Sequence, residues 1–114
     1  MQAKRIERHP NYIINEFGYV YREYIRNGEE YLYYLKPDIS NGYPRVDIDG
    51  KKEYIARLVL EAFKPPIDSR MRVFYIDGDK LNTKLENLCW LSPSDIQLYS
   101  QYTVEYRKQL FAQW

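Results

Sequence analysis

Three carboxylates and one imidazole are the first candidates in this sequence for metal-dependent or acid–base chemistry. Asp77, Asp79 and Asp95 carry oxygen donors of the kind that hard divalent cations prefer, so together they could hold a metal ion. His9 is the single histidine of the chain, and histidine is the residue type most often used as a general base near neutral pH.

Each of these residues also has a structural interpretation. Asp77-Gly78 is typical of a tight turn with a positive φ at the glycine, and Asp95 occupies a position typical of the first turn of a helix. His9 precedes the first predicted strand and is far in sequence from Asp77. A structural or incidental role for His9 is the alternative to a role as catalytic base.

Strands and turns dominate the first half of the chain. The strand-forming runs cover residues 17–26, 29–36, 43–49 and 51–55. Asn27-Gly28 separates the first two runs, and Asp49-Gly50 separates the last two. These dipeptides are strong signals for type I′ turns, so the pattern predicts two successive β-hairpins.

Helices are predicted after the hairpins. Apolar residues recur at helical spacing from Leu58 to Phe63, and Pro65-Pro66 ends that helix. Ser92-Pro93 followed by Asp95 is an N-cap signature, so a closing helix should run from about Pro93 toward Phe111. The predicted fold class is α+β: two N-terminal β-hairpins, then a core and a C-terminal helix. Residues 1–54 form the hairpin module and 55–114 the core, within one compact unit.

The segment from Val73 to Leu91 is the most informative of the chain. It reads Val-Phe-Tyr-Ile-Asp-Gly-Asp-Lys-Leu-Asn-Thr-Lys-Leu-Glu-Asn-Leu-Cys-Trp-Leu. Together with the segments 12–20, 42–52 and 57–63, which occur in the matching order, it resembles the phage- and intron-encoded HNH homing endonucleases. The resemblance implies a ββα-metal core: a strand ending in Asn-His or Asp-His, an Asp-Gly loop, an Asn-Leu-x-Trp strand and a metal-binding helix. It also implies a phage or mobile-element origin.

The chain departs from that family at the positions that carry its chemistry. The resemblance places the first metal ligand at Phe74, the general base at Tyr75, the second metal ligand near Ile96, and a helix-opening histidine at Ala56. Aromatic and aliphatic carbon cannot ligate a divalent ion, and a phenol is a poor base at neutral pH. The expectation is therefore a catalytically inactive relative with no metal and no cofactor. The other possibility is an active nuclease with a metal site shifted to Asp77, Asp79 or Asp95.

Several residues of the segment are retained for structural reasons. Asn82 and Asn87 are expected to satisfy backbone groups of a loop that has little regular structure. Leu88 and Trp90 alternate toward one face of a short strand and are expected to pack under the helix. Cys89, the single cysteine, is interpreted as a small strand residue. With no secretory or transmembrane run, the expectation is a protein of the cytoplasm, in a bacterial host cell if phage-encoded.

Duplex DNA is the partner that the resemblance implies. Overall charge gives that partner little support, because 17 Lys and Arg residues oppose 16 Asp and Glu residues. Basic residues nevertheless cluster around the second hairpin and around the Asp-Gly loop. The candidate phosphate-contacting residues are Arg45, Lys51, Lys52, Arg57, Arg72, Lys80 and Lys84.

A protein partner is the alternative. The chain has 13 tyrosines, and the strand-borne ones either cover half-buried sheet faces or form an exposed face that stacks on bases or binds a protein. These are Tyr19, Tyr21, Tyr24, Tyr31, Tyr33, Tyr34 and Tyr54. The C-terminal residues Tyr102, Tyr106, Phe111 and Trp114 either pack on the core or form a surface for a partner or for self-association. On this hypothesis the scaffold is a phage factor that inhibits a host enzyme or defence system.

Overall fold

The computed structural model describes residues 2–112, and Trp114 of the predicted C-terminal surface lies outside them. The strands are β1 Ala3–Ile6, β2 His9–Asn15, β3 Val20–Arg26, β4 Glu29–Tyr34, β5 Asp38–Ser40, β6 Tyr43–Ile48, β7 Lys51–Tyr54, β8 Arg72–Tyr75 and β9 Leu88–Leu91. The helices are α1 Ile55–Phe63, α2 Pro93–Tyr99 and α3 Val104–Phe111, and a short 3-10 helix covers Leu85–Asn87. The fold is α+β, as the sequence predicts.

The first sheet is a four-stranded antiparallel meander of β1 to β4. The predicted hairpin is its second half, and Asn27 and Gly28 have φ values of 54° and 78°, as a type I′ turn requires. β1 and β2 were not predicted as strands. His9 was placed ahead of the first strand, which is wrong: it is the first residue of β2.

The second sheet contains three antiparallel strands, β5 to β7. Asp49-Gly50 makes the predicted turn between β6 and β7, with φ values of 54° and 81°. A further turn at Asn41-Gly42, with φ values of 53° and 84°, joins the short strand β5 to β6. The predicted second hairpin therefore has one more strand at its edge.

Helix α1 connects the sheets. Its residues Leu58, Val59 and Leu60 are almost fully buried and share one core with residues of both large sheets, such as Ile14 and Ile48. The helix ends at Phe63, just ahead of Pro65-Pro66 as predicted, and the N–H of Lys64 closes its last turn on the carbonyl of Leu60.

The β8–β9 hairpin buries both of its faces. Leu88 and Trp90 of β9 pack into the core under α1, as predicted, and the Trp90 indole N–H donates to the Lys64 carbonyl. The opposite face, with Phe74 and Cys89, packs in a second cluster with Phe111 of α3. Burial on both faces explains why the four residues of β9 are all buried, without an alternating polar pattern.

The single closing helix predicted from Pro93 toward Phe111 is wrong, because the chain forms two short helices there. Ser92 caps α2 as predicted, by accepting a hydrogen bond from the Asp95 N–H at 3.2 Å. Thr103 then adopts an extended backbone and caps α3 by accepting from the Tyr106 N–H at 3.2 Å. This second cap restarts the helix, and the break lets Phe111 fold back onto Phe74.

None of the helices within residues 2–112 is long and apolar enough to cross a membrane.

Candidate functional site

A groove of about 480 Å³ lies beside β8, between the start of α1, the Asp-Gly loop and the two C-terminal helices. Its lining residues are Tyr43, Tyr54, Ala56, Arg57, Arg72, Val73, Phe74, Tyr75, Gly78, Lys80, Ile96, Ser100 and Arg107. Four of them are Lys or Arg, and none is Asp or Glu. The groove is therefore strongly basic in a protein whose formal net charge is +1.

The structure brings the four substituted positions together in this groove. Phe74 and Tyr75 come from the end of β8, Ala56 from the first turn of α1, and Ile96 from α2. Ala56 and Ile96, the first and last of the four, are 40 residues apart in sequence, yet all four line one surface. Their convergence is what the alignment with the nuclease core predicts.

The residues around Phe74 do not fit a divalent metal ion. The Phe74 ring centre lies 5.9 Å from that of Phe111, whose ring in turn lies 5.2 Å from that of Tyr99. Ile96 packs on the same cluster. Apolar carbon thus occupies the space where the family needs oxygen or imidazole donors, and such donors are what a hard cation requires.

Tyr75 is held in its neutral form. Burial, which leaves the phenolate poorly solvated, and to a smaller extent the neighbouring Tyr43 together raise the pKa of its phenol to about 12. The two ring centres are 6.0 Å apart. At neutral pH the Tyr75 hydroxyl can therefore donate a hydrogen bond into the groove, but it cannot accept a proton as a general base would.

Three of the seven predicted DNA-contacting residues line the groove. The Lys80 ammonium lies 4.7 Å from the centre of the Tyr43 ring, and the Arg57 guanidinium lies 5.7 Å from that of Trp90. Arg57 also lies 3.6 Å from Glu61, one helical turn away. Within residues 2–112, Arg72 and Lys80 form no ion pair, so their charges are available to an anionic ligand.

The other four predicted residues lie outside the groove. Arg45 and Lys52 share a face of the second sheet, where both bind the exposed carboxylate of Asp38 at 3.1 and 3.0 Å. Their hydrogen bonds, that of Lys52 first, lower the pKa of Asp38. Lys51 pairs with Ile48 and so projects from the opposite face of the sheet.

Lys84 completes that set of four. It lines a separate depression with Gly18, Tyr19 and Tyr34. Three of the seven predicted residues therefore lie together at the groove, and the other four lie elsewhere on the surface.

The loop between β8 and β9 is held by its own polar side chains. The Asn87 side chain accepts from the Asp77 N–H at 2.9 Å and donates to the Asn82 carbonyl at 3.0 Å. Asn82 donates to the Asp77 carboxylate at 2.8 Å. Gly78 has a φ of 76°, as the Asp-Gly turn predicts. Asn82 and Asn87 thus brace the loop as expected.

The three aspartates are not gathered at one place, because Asp77 and Asp79 belong to the loop and Asp95 lies in the first turn of α2. Burial alone would raise the pKa of Asp77, but hydrogen bonds from Asn82 and from the Asp79 N–H lower it overall. The Asp79 carboxylate accepts from the Leu81 N–H, and Asp95 lies by a different depression with Trp90. Residues 2–112 contain no cluster of three or more His, Cys, Asp or Glu side chains that could bind a metal ion.

His9 does not line the groove. Its Nε2 lies 3.5 Å from the Glu53 carboxylate, without hydrogen-bond geometry, and its ring packs edge-on against Tyr12. The Arg8 guanidinium donates to the same carboxylate at 2.7 Å. The contacts of His9 with Glu53 and Tyr12 agree with a structural role for this histidine.

Arg107 of α3 is the groove residue that the sequence did not reveal. It is only 8% exposed, and its guanidinium carbon lies 5.4 Å from the centre of the Phe74 ring. The available signal was its spacing, since residues 107 and 111 lie one turn apart on a helix and Phe111 is apolar. That spacing is informative only once α3 is known to fold back onto β8.

The tyrosine-bearing hairpin of β3 and β4 projects from the body of the protein. Every residue of β4 is exposed, so both faces of the hairpin contact solvent. Its Tyr24 and Tyr31 rings stack with their centres 5.5 Å apart. The most exposed of the strand-borne tyrosines is Tyr33, at 60%, whereas the other exposed ones keep about half of their surface covered. These others are Tyr19, Tyr24, Tyr31, Tyr34 and Tyr54. Tyr19 lies ahead of β3 and not within a strand.

The predicted C-terminal surface is divided. Phe111 is 5% exposed and packs in the second core cluster, so its placement on an outer surface is wrong. Tyr102 and Tyr106 are 38% and 46% exposed, with ring centres 5.0 Å apart. They remain candidates for a contact surface.

Comparison with known proteins identifies the class of protein. Residues 53–98 match the family described as HNH endonuclease. This match contains the last two residues of β7, all of α1 and the β8–β9 hairpin, and most of α2. The four substituted positions and the loop all lie within it.

A solved structure extends the likeness to nearly the whole chain. The HNH homing endonuclease I-HmuI, in a structure describing its DNA binding and cleavage, is similar with a TM-score of 0.69 and 27% identity over 96% of this chain. This chain spans 66% of the length of that one. A search of curated proteins gave no significant match. The protein is therefore HNH homing endonuclease-like.

Proposed function

We propose that this protein binds duplex DNA through the basic groove and does not cleave it. The observation that carries the proposal is the composition of the groove: four Lys or Arg residues and no carboxylate, gathered in a chain of nearly balanced charge. Such a surface attracts the phosphate backbone, whose neutralisation by cations supplies most of the sequence-independent affinity for DNA.

The loss of cleavage is inferred from the groove residues themselves. Phe74, Tyr75 and Ile96 offer neither a metal ligand nor a base, and Phe74 belongs to an apolar cluster that also contains Phe111. I-HmuI is described as binding and cleaving DNA, and this chain keeps the likeness in fold. On this proposal the chain keeps the DNA-docking surface of the fold, but Phe74, Tyr75 and Ile96 replace the side chains that cleavage needs. It therefore binds DNA without cutting it. Its phage or mobile-element origin stays a prediction.

Salt-dependent binding tests the proposal. Fluorescence anisotropy of labelled duplex DNA would be measured with the protein in Mg²⁺ at low and near-physiological salt. The DNA would then be examined on a denaturing gel. We expect affinity that falls steeply with salt, and intact strands. A cut strand would overturn the inactivity, and absence of binding at low salt would overturn the DNA partner.

A pair of charge-matched double variants locates the contact. Arg72→Gln with Lys80→Gln removes two groove cations, and we expect the slope of log affinity against log salt to fall by about 2, since each phosphate contact contributes about 0.9. Arg26→Gln with Lys36→Gln removes the same charge from exposed positions outside the groove and serves as the control. Equal losses in the two variants would show a non-specific effect of net charge.

A protein partner is the second candidate, and the projecting β3–β4 hairpin favours it. Ile25, Leu32 and Tyr33 are 71%, 57% and 60% exposed there, which is a large apolar area for a free surface. On this proposal the hairpin docks on a host enzyme or defence protein. Ile25→Ser with Leu32→Ser would abolish capture of a partner from host lysate while leaving DNA affinity unchanged. Unchanged capture would remove the hairpin from consideration.

A further inference from the structure

Arg107 is a buried cation without an anionic partner. Its side chain is 8% exposed, and within residues 2–112 it forms no ion pair. Its Nε is buried and has no hydrogen-bond partner. Burying an unpaired charge is costly, and the face of the Phe74 ring offsets only part of that cost. An arginine held in this way is stabilised by an anion that reaches the exposed edge of its guanidinium.

The position of Arg107 in the groove defines what that anion could be. Its Nη2 lies 3.4 Å from the point that a Cβ on Gly78 would occupy, so the guanidinium lies against the turn of the Asp-Gly loop. Lys80 follows that turn and lines the same groove, as does Tyr75, which carries a hydroxyl. Two cations and one hydroxyl donor, with no carboxylate among the lining residues, match the several oxygens of a phosphate group.

The guanidinium also lies beside the first substituted metal-ligand position. Phe74 provides no ligand there, yet a fixed positive charge lies 5.4 Å from the centre of its ring. A guanidinium presents a planar pair of N–H donors that bind two phosphate oxygens at once, and it always carries its charge. It can therefore hold a phosphate without supplying any chemistry to break the ester bond.

We propose that Arg107 is the centre of a phosphate-binding site, in which it and Lys80 hold one backbone phosphate of duplex DNA against the Tyr75 hydroxyl. This inference rests on the proposed DNA-binding function, which it makes specific. The site fixes the register of the duplex at the substituted nuclease positions. The same chemistry would accept inorganic phosphate, so free phosphate is the other possible source of the ligand.

The first test uses DNA and two variants of one helix. Arg107→Gln removes the guanidinium, and Lys108→Gln removes the adjacent, exposed charge of α3 as a matched control. We expect Arg107→Gln to weaken DNA binding about tenfold and to lower the salt slope by about 1. Lys108→Gln should leave both nearly unchanged. DNA binding by Arg107→Gln with an unchanged slope would overturn the inference while leaving the proposed function intact.

The second test requires no variant and so does not depend on the folding of Arg107→Gln. Inorganic phosphate is titrated into ¹⁵N-labelled wild-type protein, and amide signals are followed. Shifts concentrated at Gly78 and Lys80, and not on the β3–β4 hairpin, would support the site. If the wild-type protein does not bind DNA but shows these shifts, the proposed function fails and the site takes free phosphate. Absence of shifts at saturating phosphate would overturn the site.

Discussion

The polar side chains of the loop between β8 and β9 differ from the cations of the groove beside it in the partners they have. In the loop, the side chains of Asn82 and Asn87 bond to partners five to ten residues away, and Asp77 receives hydrogen bonds at its carboxylate. In the groove, Arg72 and Lys80 form no ion pair within the described residues. Asn82, Asn87 and Asp77 therefore stabilise the loop, whereas Arg72 and Lys80 have no carboxylate partner among the described residues.

This difference explains which residues resemble the family and which do not. Asn87 is retained because its amide replaces two backbone partners that water would otherwise have to supply. Phe74 carries no ligand atom, and its ring packs on Phe111 and adds to the second core cluster. Hydrogen bonds stabilise the fold at the loop, and burial of apolar rings stabilises it at Phe74.

Restoring the nuclease side chains should produce the largest effect. Phe74→Asp with Tyr75→His and Ile96→Asn introduces the ligands and base that the resemblance implies. We expect divalent-dependent cleavage of plasmid DNA, and a loss of about 4 kcal/mol in unfolding free energy because a buried aromatic ring is removed. The cleavage assay would be run at low temperature, with circular dichroism to confirm folding.

The single variant Phe74→Leu is the control for that change, because it keeps the cluster apolar. It should fold, bind DNA and leave the DNA whole. A folded, DNA-binding triple variant with no cleavage would show that the groove is not the position of the former catalytic site.

Removing the main brace of the loop should have the next largest effect. Asn87→Ala leaves the Asp77 N–H and the Asn82 carbonyl without their partners, and we expect the unfolding free energy to fall by about 3 kcal/mol. Urea denaturation followed by circular dichroism measures this. Asn11→Ala, at an exposed position of β2, is the control and should change stability by less than about 0.5 kcal/mol. Equal stability of the two variants would contradict the structural role given to Asn87.

Alkaline pH should have the smallest effect on stability, and it tests the burial of Tyr75 in the groove. The folded protein raises the pKa of Tyr75 from 10.0 to about 12 and that of Cys89 from 9.0 to about 12, in both cases chiefly by burial. The folded state therefore keeps these protons when the unfolded chain has lost them. Stability from this source is complete below about pH 9 and is lost as the pH rises toward about 12.

Denaturation midpoints at pH 8, 9.5 and 11 would measure that loss. Cys89→Ala should reduce the fall between pH 8 and 9.5, and Tyr75→Phe the fall between 9.5 and 11. Tyr33→Phe, on the projecting hairpin, is the matched control for the phenol. If the denaturation midpoint falls equally with pH in the Tyr75→Phe and Tyr33→Phe proteins, burial does not raise the pKa of the Tyr75 phenol.

Local patterns predicted the local structure well. The Asn27-Gly28 and Asp49-Gly50 turns, the end of α1 near Pro65 and the Ser92 cap all depend on the residues present within one turn of the chain. Strands β1, β2 and β5 were missed because they are short or weakly patterned and gain most of their stability from pairing with neighbours. The break between α2 and α3 was missed because the Thr103 cap competes with a continuing helix, and packing of Phe111 decides between them.

The candidate site was predicted in part. Ala56, Phe74, Tyr75 and Ile96 were placed together by their positions within a recognisable motif, and the structure brings them to one groove. The sequence grouped the basic residues around the second hairpin and the Asp-Gly loop but did not show that Arg45, Lys51, Lys52 and Lys84 lie outside the groove, since charge in the sequence does not reveal on which face of a sheet a side chain lies. Arg107 was absent from the prediction because nothing in the sequence states that α3 returns to β8.

The sequence by itself determined the turns, the first helix, the nuclease-like frame and the substituted positions, because each depends on residue types at short, fixed spacings. Tertiary structure alone decided that four cations meet in a groove without a carboxylate, and that Arg107 is buried against Phe74. Electrostatic environment depends on which distant side chains pack together and how much water they exclude, and those contacts are made only when the chain has folded.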